Sequence, residues 1–126
     1  MGRTNLGLKA AAQLLINTGS PTAFTYIELG SGTTAFAAAQ TTLVTPITDS
    51  GLERAVATLS TVTTTVTDDT SNLTYTWTAT GAKTIAESGV FNAASAGVMF
   101  CRQVLGTARS VGTGDTFVGT WKITHT

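Results

Sequence analysis

Arg54–Thr80 reads RAVATLSTVTTTVT, then DDTSN, then LTYTWTAT. In the last run Leu73, Tyr75, Trp77 and Ala79 fall on one side and Thr74, Thr76 and Thr78 on the other. A two-residue period is what a half-buried strand requires, because successive side chains point to opposite faces. Threonine is β-branched and suits a pleated surface better than a helix. Asp68-Asp69-Thr70-Ser71-Asn72 has the side chains that bond their own backbone in turns. The stretch therefore predicts a long β-hairpin whose outward groups are hydroxyls.

Working outward, Phe24–Leu29 alternates and predicts a strand ending at Gly30-Ser31-Gly32, a tight turn suited to positive φ. Alanine-rich Thr33–Leu43 predicts a loop with a helical turn, and Pro46–Gly51 a further break. Lys83–Phe91 and Val98–Leu105 predict strands on either side of the small-residue loop NAASAG (92–97). Gly106–Gly114 predicts a loop, and Asp115–Thr126 a closing strand with Phe117, Trp121 and Ile123 on one side. Short strands separated by glycine-rich turns predict an all-β, single antiparallel sandwich or barrel over residues 22–126. Residues 1–21 predict an N-terminal arm. Asn5 can cap a short helix there, with Leu8, Ala11, Ala12 and Leu15 on one face, Asn17-Thr18-Gly19 as its stop, and Gly19-Ser20-Pro21 as a hinge. Trp77 and Trp121 are expected in the core, where their bulk is buried and each indole N–H finds an acceptor.

The chain has 126 residues, enough for one domain with a modest core. Hydrophobic residues make up 42%, which excludes compositional disorder. Charged residues reach only 11%, and seven basic groups cancel seven acidic ones. A surface so poor in charge has little electrostatic protection against association, which points to life in an assembly. The basic residues are scattered, so no nucleic-acid partner is expected. No apolar run approaches a membrane span, so no membrane partner is expected either. No secretory leader is expected in the first residues, since Lys9, Gln13 and Asn17 interrupt the apolar part. Cys101 is the only cysteine, so no intrachain disulfide exists.

Candidate chemistry is sparse. Gly30-Ser31-Gly32-Thr33-Thr34 lacks the lysine of a phosphate-binding loop and the βαβ setting that such a loop needs. His125 sits at a chain end and Cys101 in an apolar strand, so neither forms a triad. One cysteine and one histidine cannot make a zinc site within the chain. Asp68, Asp69 and Asp115 lack calcium-loop spacing. Glu28 and Glu87 each interrupt an apolar strand. As a pair they would suit glycoside hydrolysis. The structural alternative pairs each with an arginine such as Arg54 or Arg102, or places it at a subunit contact. No enzyme, cofactor or metal is expected.

The order of elements adds a resemblance. YIELGSGTTAFAAAQTTLVTPI (26–47), the run from Glu53 to Leu105 containing KTIAESGVFNA, and GTGDTFVGTWKIT (112–124) resemble a family of small tailed-bacteriophage virion proteins. Proteins of this kind are commonly labelled tail-fibre or structural proteins, and the better-understood relatives are trimeric capsid decoration (cement) proteins. The resemblance implies a barrel or tulip-like body with an N-terminal arm, placed on the capsid exterior after synthesis in the host cytoplasm. The leading expectation is a homotrimeric cement protein bound to the major capsid protein. Leu6, Leu8, Leu14, Leu15 and Ile16 would anchor its arms, which gain avidity because each tethered contact acts at high effective concentration. Thr61, Thr63, Thr65, Glu28 and Glu87 are expected at subunit contacts. The alternative is a tail-fibre or tail-tip protein that recognises host glycans through hydroxyls and outward Tyr26, Tyr75 or Trp77.

Overall fold

The computed structural model describes residues 2–125. In chain order the elements are β1 (Gly2–Arg3), α1 (Asn5–Leu15), β2 (Tyr26–Gly30), β3 (Ala55–Val56) and β4 (Thr58–Val62). They continue with β5 (Thr70–Thr78), β6 (Lys83–Phe91), β7 (Met99–Val111) and β8 (Thr116–Thr124). Two antiparallel sheets form, one ordered β1-β7-β6-β2-β3 and the other β4-β5-β8. All-β architecture with one N-terminal helix is as expected, but neither sheet closes into a barrel.

The core lies between the sheets. Ile27, Leu29, Ile85 and Val90 from the first meet Leu73, Trp77, Trp121 and Ile123 from the second. Both tryptophans are buried as expected, and both indoles are satisfied. Trp77 Nε1 donates to the Glu53 carbonyl at 2.8 Å and Trp121 Nε1 to Ser88 Oγ at 3.0 Å.

The hairpin forms, but its turn lies earlier than the sequence suggests. Thr70, Ser71 and Asn72 belong to β5, and the chain reverses through residues 63–69. Asp69 fixes that reversal, its carboxylate accepting the backbone N–H groups of Thr64, Thr65 and Val66 at 2.8–2.9 Å. Those bonds, Val66 foremost, hold the carboxyl well below the usual carboxylate range. Thr61 lies in β4, whereas Thr63 and Thr65 sit in the connection. The three therefore do not form one strand face.

Two other expectations change. No helix forms between Thr33 and Leu43. The strand that begins near Val98 does not stop at Leu105 but runs to Val111. Gly106 marks a real irregularity, because residues 105–108 bulge between the pairs Glu87–Val104 and Ile85–Arg109. A second bulge at Phe100, between the pairs Val90–Cys101 and Phe91–Met99, frees the Phe100 carbonyl to accept Thr4 N–H at 2.9 Å.

That bond begins the docking of the N-terminal segment. β1 pairs with β7, and Arg3 donates to the Thr124 carbonyl at 3.1 Å. Thr4, not Asn5, caps α1: its buried hydroxyl accepts Gly7 N–H at 2.9 Å and donates to the Met99 carbonyl. Gly7 lies so close to the backbone of Phe100 that a Cβ there would overlap it. The helix packs through Gly7 and Ala10, while Leu8, Ala12 and Leu15, on the face expected to dock, point outward.

Candidate functional site

The sequence-selected carboxylates are the natural starting point. β6 carries Glu87 into the interior, where it is fully buried. Its Oε2 accepts Gly32 N–H at 2.7 Å and Thr45 N–H at 2.8 Å. Its Oε1 accepts Val44 N–H at 2.9 Å and Arg102 Nε at 2.8 Å. Burial opposes ionisation, but the Thr45 N–H, the Arg102 guanidinium and the Val44 and Gly32 N–H groups outweigh it and lower the pKa. A carboxylate so saturated has no lone pair directed at a substrate.

The same geometry explains Gly30-Ser31-Gly32. Neither glycine has positive φ, contrary to the turn expected there. A Cβ on Gly30 would lie 2.6 Å from Glu87 Cγ, and one on Gly32 would overlap its Oε2. Glycine is required for close approach to the carboxylate. Glu87 thereby clamps both ends of the exposed segment between Gly32 and Val44, and Gln40 from that segment reaches Arg102 Nη1 at 3.3 Å.

Glu28 is tied down separately. Arg54 Nε meets its Oε2 at 3.0 Å, while Arg54 Nη1 donates to the carbonyls of Ala93 and Ala96, each at 2.9 Å. The guanidinium lies 3.7 Å from the centre of the Phe91 ring. Glu28 and Glu87 each pair with an arginine, and both are engaged within the chain. The residue that sequence reasoning underrated is Arg54, which joins β2, the 92–97 loop and an aromatic ring at once.

The remaining candidates are equally quiet. Cys101 is buried, and burial pushes its thiol up to about 12. His125 contacts Ser71 Oγ at 2.9 Å, and among the described residues no carboxylate hydrogen-bonds to its ring. Among the described residues, no group of three or more His, Cys, Asp and Glu could hold a metal ion.

What the chain displays is surface. The outer face of the smaller sheet is a hydroxyl-rich ladder, with Thr74 Oγ1 and Thr120 Oγ1 2.8 Å apart, Asn72 Nδ2 donating to Ser60 Oγ at 3.2 Å, and exposed Lys122 carrying a positive charge opposite Asn72. Thr76, Thr78, Thr116 and Val118 extend it. Trp77 is buried, and Tyr26 and Tyr75 are half-buried, so the aromatics do not make the open stacking platform considered for glycans. Leu6, Leu8, Leu14 and Leu15 of α1 and its C-cap Ile16 are all exposed, Leu15 and Ile16 most of all. Beside the helix lies an apolar groove of about 640 Å³.

Comparison with known proteins places this surface on a virion. Residues 8–123 match the family described as podophage GP4 fiber I protein gp80. No curated protein matches the chain. The match spans nearly the whole chain, and the protein belongs to this fibre family. The capsid-decoration reading is thereby corrected: the family is a tail-fibre family, and neither the cement role nor the capsid exterior retains support. The protein is a phage virion component, as the resemblance implied, but of the fibre class.

Proposed function

We propose that the chain is a non-enzymatic subunit of a podophage tail fibre, present as a homotrimer, whose hydroxyl-rich sheet surface contributes to recognition of the host. The observation that carries this reading is the family match over residues 8–123. The site chemistry supports it. Both candidate carboxylates are consumed by arginines and backbone N–H groups, which leaves display rather than catalysis. The Thr74–Thr120 ladder offers hydroxyl donors and acceptors beside the single ammonium of Lys122, a fit to the hydroxyls of a cell-surface glycan.

Competition for adsorption tests the recognition part. Purified chain added to host cells before the phage slows irreversible adsorption in a dose-dependent manner. Replacing Thr74 and Thr120 with aspartate places two repelling carboxylates on that face and abolishes the competition. Unchanged adsorption at saturating wild-type chain would remove the recognition role and leave a purely architectural subunit.

A further inference from the structure

From the geometry of α1 we infer that copies of this chain associate helix to helix, through the stripe Leu8, Ala12 and Leu15 and the apolar groove beside it. The inference rests on the proposed fibre reading and adds the surface that holds its subunits together. Gly7 and Ala10 occupy the docked face of the helix. Leu8, Ala12 and Leu15 are exposed, with Leu15 at 87%. Their four-then-three spacing is that of the apolar seam along which helices pack knobs into holes. Such a seam is complementary to another copy of itself.

Three further observations favour a second copy as the occupant. Lys9 is the only charged residue in α1, so the helix carries no charge pattern that would select a different partner. The formal net charge of the chain is zero, so copies approach without net repulsion. Area agrees: the exposed parts of Leu8, Leu14, Leu15 and Ile16 amount to about 400 Å² of apolar surface, as much as the largest patch on an ordinary monomer. Doubled across two copies, and joined by the groove walls at Ala11, Phe24 and Ile123, it reaches the order of the 1,000 Å² that a specific interface needs. A lipid surface is the poorer fit, because an interfacial helix has a basic polar face and this one has a single lysine.

The test uses the full chain in sedimentation velocity at tens of micromolar. Wild type is expected to sediment as an oligomer. The double variant Leu8→Glu/Leu15→Glu is expected to associate at least about a hundredfold more weakly and run as a monomer. Its circular dichroism spectrum should be unchanged, and its thermal midpoint should fall only by the stabilisation that association gives wild type and should no longer depend on concentration. Leu15→Cys supplies an independent readout that does not depend on the charged variant: its thiol is accessible while Cys101 is buried and un-ionised, so a short bis-maleimide should link subunits only through residue 15. A monomeric wild type overturns both the inference and the oligomeric fibre subunit. An oligomer that survives the double variant, or gives no residue-15 cross-link, overturns the helix contact alone.

Discussion

Glu87 shows how one side chain can organise a small β-protein without doing chemistry. Two of its partners, Gly32 and Thr45, bring the ends of an exposed segment to one oxygen, while Arg102 neutralises the charge beside them. Removing one partner of a buried ion pair leaves the other charge uncompensated, so Glu87→Gln should lower stability by about 3–5 kcal/mol at neutral pH, measured by urea unfolding. The pH dependence has a definite sign. The folded-state pKa of Glu87 lies below its ordinary value, so the stabilisation is fully present above the unfolded value, about 4.3. It is lost as pH falls through the folded pKa. Asp49, beside Lys83, and Asp69 are depressed in the same direction, so the wild-type curve alone does not isolate Glu87. The difference between wild type and Glu87→Gln does: it should shrink as pH falls below about 4. A difference that stays constant down to pH 2 would contradict the clamp.

At the scale of elements, the N-terminal helix is held by its cap as much as by packing. Thr4 accepts from Gly7 and donates to Met99, so Thr4→Val loses a cap and leaves the Met99 carbonyl without this donor. An overall loss of about 1–3 kcal/mol is expected, together with faster amide exchange confined to α1 and the start of β7. Exchange unchanged in α1 would show that its packing on Phe100 suffices. The alternation in LTYTWT marks the body of β5, and Phe117, Trp121 and Ile123 on one side mark β8, because burial on one face leaves a strict period to read. Lys83–Phe91 was legible for a different reason: breaks at both ends bounded a run buried along nearly its whole length. The turn of the hairpin was misplaced because Thr70-Ser71-Asn72 are turn formers that the pairing with β8 holds in a strand. Gly106 reads in the sequence as the start of a loop after a strand ending at Leu105, but a bulge tolerates glycine without ending the ladder. The docked face of α1 was not legible either. Its contact is made by Gly7 and Ala10, whose small size permits close approach, and apolar periodicity points instead to the leucines left outside.

At the scale of the molecule, a two-sheet body of zero net charge, with both internal carboxylates paired to arginines, is suited to repetition and display. The motifs that pointed to a virion protein carried no information about where on the virion it sits, since body, arm and a charge-poor surface suit a capsid lattice and a fibre equally. The family match separates them. The candidate glutamates were legible in the sequence as charges within apolar strands. Arg54 and Arg102 were legible as their partners, but the hold of Arg54 on the 92–97 loop and the glycine cradle of Glu87 were not, because those roles depend on segments distant along the chain that meet only in the fold. Location is the central claim and can be measured directly. Gold-labelled antibodies raised against the purified chain should decorate intact virions at the tail, with capsid faces bare. Gold distributed over the capsid faces, with tails unlabelled, would contradict the fibre assignment.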